Sequence, residues 1–216
     1  MFRLYRNLEE NENLILFVDP AEGGDYSAMV AMSKKHLDIP MVYHSKTEES
    51  DVDIGSSQLG NEANKMGLFI KKKTGIYPSI AVERNKGQAT IARLLELEYP
   101  KIFRMKTFDR QNNVKKEYFG WETNKATRQK MLDEWSEAIT KHQAVIYSEE
   151  IVNEHYSFIR PKGREYHPEA ITGKNDDYII CCAGAWQVVK MVSEEKPAKI
   201  KKSVQAWDSD FGKMYR

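Results

Sequence analysis

Acidic residues in this 216-residue chain stand where apolar runs begin or end. Asp19 follows the run "LILFV" and Glu83 follows the run "SIAV". Asp176 and Asp177 precede the longest mostly apolar run, "YIICCAGAWQVV". Carboxylates gathered together repel one another, and a divalent cation removes that penalty because Mg²⁺ and Mn²⁺ prefer carboxylate oxygens. Two such ions can activate a water molecule and stabilise the leaving oxygen at a phosphate, so these acids are candidates for metal-dependent phosphodiester hydrolysis.

Each of these acids also has an ordinary structural explanation. Asp19 can simply end a strand, and Asp176 can cap a helix, which is a very common role for aspartate. Glu83 can pair with the adjacent Arg84. Taken singly, each ordinary explanation is favoured. The joint occurrence of the acids at the ends of the predicted elements is what favours a metal site.

The elements that must position the acids follow from the hydrophobic pattern. Apolar runs at 14–18, 27–33 and 40–46 predict a three-stranded antiparallel meander, and a fourth strand is predicted to end at Glu83. Ligands collect outside the strand ends of an open α/β sheet. We therefore expect Asp19 and Glu83 to lie side by side on adjacent strands, with the start of the last helix close by.

The remaining pattern alternates helices with short strands. Helices are predicted at 53–73, 88–98, 125–141, 149–160 and 177–191, and further strands at 101–108 and 144–147. Thr123 or Asn124 is predicted to cap the third helix. Leu95 is predicted to face inward from the second helix, and the fourth is predicted to bury Val152, Tyr156 and Ile159.

A meander followed by alternating helices and strands is typical of the ribonuclease H-like fold. The expected architecture is an α/β fold with a mixed β-sheet, whose first three strands form the antiparallel meander, flanked by helices on both faces. We expect a single domain over 1–192 and a basic, flexible C-terminal tail over 193–216. Adjacent Cys181 and Cys182 are expected to be reduced core residues, and the charged N-terminus lacks the pattern of a signal peptide.

Positive charge is concentrated in residues 101–130. This segment has nine Lys or Arg residues against three acids, whereas the whole chain has a net charge of +1. The stretch 109–124 is predicted to be a hairpin or a long loop. Basic residues interleaved with aromatic ones suit a polyanion, and lysines that guard the edge of a solvated hairpin are the plainer explanation.

Four motifs in a fixed order resemble the nuclease domain of the large terminase subunit of tailed bacteriophages. They are "FVDPAEGGDYSA", "AVERNKGQ", "GWETNKATRQKML" and "NDDYIICCAGAW", and the resemblance covers roughly 13–192. It implies that Asp19, Glu83 and one of Asp176 and Asp177 hold two catalytic cations, Mg²⁺ or Mn²⁺. The resemblance leaves open which aspartate of that pair is the ligand.

Further residues receive roles only through this resemblance. Asp25 matches an accessory acid of the first motif, and His167 lies where some metal nucleases use a histidine. Asn85 and Gly87 are expected to shape the turn beside Glu83. The candidates for contact with DNA phosphates are Lys86, Arg110, Lys115, Lys116 and Arg128.

The implied function is metal-dependent endonucleolytic cleavage of double-stranded DNA, with little sequence specificity and with 5′-phosphate products, during viral genome packaging. The implied partners are a packaging ATPase domain, the portal and the small terminase subunit, with no membrane. The implied location is the host cytoplasm. No phosphate-binding loop of an ATPase is found, so we expect an isolated, monomeric nuclease domain. The alternatives are a Holliday-junction resolvase-like nuclease, a non-catalytic DNA-binding or motor-docking module, and a packing domain whose acids form salt bridges.

Overall fold

The computed structural model describes residues 2–21, 26–45, 55–109, 114–161, 168–173 and 175–194. The strands of its main sheet are β1 Arg3–Leu4, β2 Leu14–Asp19, β3 Ala28–Ser33, β5 Met41–His44 and β6 Ser79–Val82. The other strands are β4 Asp38–Ile39, β7 Arg104–Asp109, β8 Val114–Phe119, β9 Val145–Ile146, β10 Phe158–Ile159 and β11 Glu169–Ala170. The helices are α1 Ser56–Thr74, α2 Gln88–Glu96, α3 Lys125–Thr140, α4 Glu149–Ser157 and α5 Asp177–Met191.

The main sheet has the strand order β1-β5-β3-β2-β6. Strands β2, β3 and β5 pair antiparallel, which confirms the predicted meander. Strand β6 pairs parallel with β2, with Val18 opposite Val82, so both strands end at the same edge of the sheet. The sheet is therefore mixed, and the residues that follow Val18 and Val82 emerge beside each other.

Helices cover both faces of this sheet. Strand β2 alternates between two cores, with Phe17 packed among residues of α3 and α5 and Leu16 packed among residues of α1 and α2. Helix α5 is buried over almost its whole length, from Tyr178 to Val189. At Gly184 a Cβ atom would lie 2.2 Å from the Phe17 ring, so the small residue allows α5 to press against β2.

The sheet continues beyond β6 through single residue pairs. Glu83 bridges to Trp121, and Ile80 bridges to Ile102. Strands β7 and β8 leave this edge as an antiparallel hairpin. The hairpin or long loop predicted over 109–124 therefore contributes only the second arm, because the first arm, β7, begins at Arg104. The strand predicted over 101–108 thus exists mainly as one arm of that hairpin, outside the main sheet.

The caps agree with two of the predicted helix ends. Asn124 caps α3, because its side chain accepts hydrogen bonds from the backbone N–H groups of Ala126 and Thr127. Gly75 ends α1 in the left-handed conformation, with φ of 82°. Both cysteines are buried free thiols. Within the described ranges, no helix combines the length and the hydropathy that are needed to span a bilayer.

Three predicted buried positions are wrong. Helix α4 ends at Ser157, so Ile159 falls in β10, where it is 42% exposed, and Tyr156 is 82% exposed. Ile151 is the buried residue of α4. Leu95 in α2 is 45% exposed, and its neighbour Leu94 is buried instead. The strand predicted over 144–147 is shorter, since β9 has two residues and pairs with β4 outside the main sheet.

Candidate metal centre

An acidic cleft of about 340 Å³ opens where β2 and β6 end and α5 begins. It is lined by Asp19, Pro20, Ala21, Tyr26, Glu83, Asn85, Lys86, Thr123, Arg128, Asp176, Asp177 and Ile180. The four acids that the sequence singled out therefore line one cleft. Two basic side chains, those of Lys86 and Arg128, line it with them.

The sheet itself holds the first two acids together. The backbone N–H of Glu83 donates a hydrogen bond of 2.8 Å to the carbonyl oxygen of Val18, the residue before Asp19. Glu83 is only 6% exposed. Burial raises the pKa of Asp19 well above its ordinary value, and the carboxylates of Glu83 and Asp177 raise it further, while Lys86 opposes them. The cleft thus gathers four carboxyl groups against only two basic side chains, those of Lys86 and Arg128.

The turn after Glu83 directs its side chain into the cleft. The backbone N–H of Lys86 lies 3.3 Å from Oε2 of Glu83. At Gly87 a Cβ atom would lie 2.2 Å from the carbonyl oxygen of Glu83, so this tight turn requires glycine. Arg84 turns away, where it stacks on the Tyr118 ring and lies 3.7 Å from Glu122. The contacts of Arg84 therefore give no support to its pairing with Glu83.

The two aspartates at the start of α5 have different partners. Asp176 lies at the N-cap position, but its side chain makes no capping hydrogen bond. Instead its Oδ2 lies 3.4 Å from Nη2 of Arg128. Asp177 Oδ2 lies 3.5 Å from Nε2 of His44, which also contacts the Tyr178 ring. The ordinary capping role proposed for Asp176 is therefore wrong, and both carboxylates are directed toward side chains of other elements.

Two residues of this region carried no signal in the sequence. His44 ends β5 and reaches Asp177 because β5 and α5 meet in the fold. Glu154, on α4, accepts hydrogen bonds of 3.0 and 3.2 Å from the backbone N–H groups of Tyr178 and Ile179. Both contacts join residues more than 20 positions apart, so neither spacing nor periodicity could identify them.

Glu154 is a fifth acid beside the cleft. Burial, and after it the carboxylate of Asp177, raise its pKa to about 8 against the opposing effect of the N–H groups of Ile179 and Tyr178. Burial likewise raises the pKa of Asp176, against the opposing charge of Arg128. The start of α5 is therefore a place where several carboxyl groups share a desolvated environment.

The predicted phosphate contacts divide into two groups. Lys86 and Arg128 line the acidic cleft. Lys115 and Lys116 are exposed on β8 and line a separate surface depression on the hairpin with Lys106, Thr107 and Glu117. Asp25, His167 and Arg110 lie outside the described residues, and their roles stay predictions. The tail predicted over 193–216 also lies outside them beyond residue 194.

The carboxylates do not form a closed coordination sphere. Among the residues that the structure describes, no three His, Cys, Asp or Glu side chains are drawn together closely enough to form a metal site on their own. Oxygen donors and an excess of carboxylates are nevertheless what Mg²⁺ and Mn²⁺ require, and Mg²⁺ characteristically keeps several water ligands. The donor set of the cleft therefore fits a hard divalent cation that is held partly by water or substrate oxygens.

Solved structures with the same fold provide an independent comparison. The large terminase nuclease from thermophilic phage G20c with bound magnesium is 11% identical, with 86% of each chain covered and a TM-score of 0.61. Another structure of that nuclease is 12% identical, with 82% of each chain covered and a TM-score of 0.58. The large terminase nuclease domain of Thermus phage P74-26 is 12% identical, with 80% of this chain and 78% of that chain covered and a TM-score of 0.53.

Sequence comparison adds no relative. No protein-family model matches the chain, and no curated protein matches it either. At identities of 11–12%, the three structural likenesses establish the fold. The predicted ribonuclease H-like fold, in the form found in large terminase nuclease domains, is therefore confirmed.

Proposed function

We propose that this protein is a divalent-metal-dependent endonuclease that cuts double-stranded DNA with little sequence specificity. The observation that carries the proposal is the acidic cleft, where Asp19, Glu83, Asp176 and Asp177 converge from two parallel strands and a helix start. The raised pKa of Asp19 supports it, because a site that gathers charge against its own stability is a candidate for function. The shared fold with large terminase nucleases, one of them solved with magnesium, points the same way.

The acids would hold the cations, and the chain's own geometry suits that role. The charges of Glu83, Asp177 and Asp176 all act on Asp19, so we assign Asp19 the role of shared ligand. Bound divalent ions would activate a water molecule and stabilise the leaving oxygen at a phosphate, and two is the number we propose. His44 Nε2 lies 3.5 Å from Asp177 Oδ2 and would help to orient this carboxylate for a cation.

Basic residues at the cleft would position the DNA backbone. Arg128 lies 3.4 Å from Asp176 and can exchange that part-buried ion pair for a phosphate when DNA approaches. Lys86 lines the same cleft, and Lys115 and Lys116 extend the positive surface along the hairpin. Contacts of this kind fix the register of a duplex without reading its bases, which is why we propose little sequence specificity.

We place this activity in a viral DNA-packaging motor, on the basis of the fold shared with large terminase nucleases. In that setting the partners would be a packaging ATPase domain, the portal and the small terminase subunit, and the location would be the cytoplasm of an infected host cell.

A plasmid-nicking assay tests the proposal. We expect the chain to nick and then linearise supercoiled DNA with Mg²⁺ or Mn²⁺, and Asp19→Asn to reduce nicking to the level of an EDTA control. The matched control is Glu96→Gln, which removes an exposed carboxylate that pairs with Arg93 outside the cleft. The metal assignment would be refuted if Asp19→Asn nicked DNA as fully as wild type while Glu96→Gln, purified in the same way, also behaved like wild type.

Two further substrates and a titration separate the alternatives. A resolvase-like nuclease should cut a four-way junction far better than a linear duplex, whereas we expect no such preference. A non-catalytic DNA-binding module should bind duplex DNA, but calorimetric titration with Mn²⁺ should show no heat that disappears in Asp19→Asn. A salt-bridged packing domain would require partners for its acids. Asp176 has one in Arg128 at 3.4 Å, but Arg84 contacts Tyr118 and Glu122 rather than Glu83.

A further inference from the structure

The start of α5 has an unusual cap. The first N–H groups of a helix lack partners within the helix, and the side chain at the N-cap position normally accepts from them. Asp176 stands at that position and makes no such bond. Glu154, from the neighbouring helix α4, accepts from Tyr178 and Ile179 instead, at 3.0 and 3.2 Å.

Helix α4 is itself fixed so that Glu154 can do this. Ser148 caps its start by accepting from the N–H of Ile151. His155 follows Glu154, and its Nδ1 lies 2.7 Å from the carbonyl oxygen of Ile151. Its Nε2 accepts a 2.8 Å hydrogen bond from Nε1 of the buried Trp135 on α3. The Glu154 side chain therefore extends from a helix that is capped at its start by Ser148 and bonded near its end to α3 through His155.

We propose that Glu154 is a positioning residue, which caps α5 in place of Asp176 so that neither aspartate at the helix start is needed for the cap and both can serve the acidic cleft. This inference rests on the proposed nuclease function. It explains how a helix can begin with two acids without using either for its own cap. It also assigns a role to an acid that the sequence motifs do not contain.

A positioning role and a metal-ligand role make different demands on the side chain. Both backbone N–H groups donate to the same oxygen, Oε2 of Glu154. The carboxamide oxygen of glutamine can take the place of that oxygen, whereas alanine offers no acceptor. A metal ligand, by contrast, needs the negative charge, which glutamine lacks. Glutamine should therefore preserve a cap and destroy a ligand.

The test compares Glu154→Ala, Glu154→Gln and Tyr99→Phe in the full chain. Tyr99→Phe removes a buried 2.9 Å hydrogen bond to the carbonyl oxygen of Pro78. Pro78 precedes β6, at the opposite end of that strand from Glu83, so this variant controls for general destabilisation. Plasmid nicking is measured against Mn²⁺ concentration, and duplex affinity is measured in EDTA. We expect Glu154→Ala either to lower the nicking rate or to raise the Mn²⁺ concentration for half activity by about 10- to 100-fold, as loss of a partner of a metal ligand does. The duplex affinity of Glu154→Ala in EDTA should stay close to that of wild type. Glu154→Gln and Tyr99→Phe should match wild type in both measurements.

Two results would overturn the positioning role. Wild-type activity in Glu154→Ala would show that the cap does not matter, and an equal loss in Glu154→Gln would show that the charge itself is needed. Should Glu154→Ala not fold, Glu154→Asp replaces it, because the side chain is one methylene too short to reach both amides.

Hydrogen exchange of the amides of residues 176–180 provides a readout that does not depend on cleavage. Faster exchange in Glu154→Ala but not in Glu154→Gln supports the cap, and unchanged exchange in both refutes it. If wild type does not cut DNA, the proposed function fails, while the exchange result still decides whether Glu154 caps α5.

Discussion

Replacing Glu154 by glutamine should stabilise the protein, and by an amount that depends on pH. Burial raises the pKa of Glu154 from its ordinary value of 4.5 to about 8. The folded chain therefore holds this proton more tightly than the unfolded chain does. Because of that difference, the free energy of unfolding falls as the pH rises from about 4.5 and levels off above about 8. Glutamine keeps the acceptor oxygen and does not titrate.

The size of the effect follows from the shift. Each pH unit between the two pKa values is worth about 1.4 kcal/mol, so the gain from Glu154→Gln is at most about 3 kcal/mol at pH 7. Above pH 8 it reaches at most about 5 kcal/mol, and below pH 4 it vanishes. Glu154 is partly exposed to solvent, and solvent screening lowers the expected gains at pH 7 and above pH 8.

Urea unfolding at pH 4.5, 7 and 8.5 in EDTA measures this gain without interference from metal. Glu149→Gln, which changes an exposed carboxylate on the same helix, is the control, and we expect its effect to stay within a few tenths of a kcal/mol. A difference between wild type and Glu154→Gln that is the same at all three pH values would refute the reasoning, because it would mean that Glu154 titrates alike in the folded and unfolded chains.

Three other perturbations test separate parts of the structure. Gly184→Ala would force a Cβ atom against the Phe17 ring, so we expect a loss of about 1–3 kcal/mol in urea unfolding, and an unchanged midpoint would contradict the packing of α5 on β2. Burial lowers the pKa of His155 below its ordinary value of 6.5. The neutral imidazole therefore contributes to stability above pH 6.5, and this contribution is lost as the pH falls from 6.5 through the lowered pKa of the folded chain. The unfolding free energy of wild type relative to His155→Gln should accordingly shrink between pH 7 and 5, and a constant difference would contradict this. Arg128→Ala should weaken duplex binding and reduce the slope of log K against log salt by about 0.9, whereas Arg93→Ala, on the other side of the sheet, should leave both unchanged.

Much of the fold could be predicted because its signals are local. The strand period and the turn residues were enough for the meander of β2, β3 and β5, and the parallel pairing of β6 then brought Asp19 beside Glu83. The long, mostly apolar run after Asp177 predicted a helix over about 177–191, and α5 confirms it. These elements are the ones whose own residues determine both their type and their burial.

The failures share a physical cause. Tyr156 and Ile159 follow a helical spacing, but α4 ends at Ser157 and the surface accepts large apolar side chains, so the spacing alone could not locate the buried face. Strands of two residues, such as β9, are too short to show a period. Glu154 and His44 reach the start of α5 only through tertiary packing, which no local pattern encodes.

Neighbouring charges were equally poor guides. Glu83 and Arg84 are adjacent in sequence, but successive residues at the end of a strand point to opposite faces, and Arg84 stacks on Tyr118 instead. Asp176 has the residue type and the position of a cap, yet Glu154 fills that role. In both cases the acid that local rules would have used for structure remains available to the cleft.

The most direct test of the metal centre is anomalous diffraction from crystals soaked in Mn²⁺. We predict anomalous peaks in the acidic cleft, with one ion about 2.1–2.2 Å from a carboxylate oxygen of Asp19 and of at least one of Glu83, Asp176 and Asp177, close to the distances typical of small hard cations. The peaks should vanish in Asp19→Asn crystals. A cleft without an anomalous peak at saturating Mn²⁺, or a peak that persists unchanged in Asp19→Asn, would contradict the proposal that these acids form a metal-dependent nuclease site.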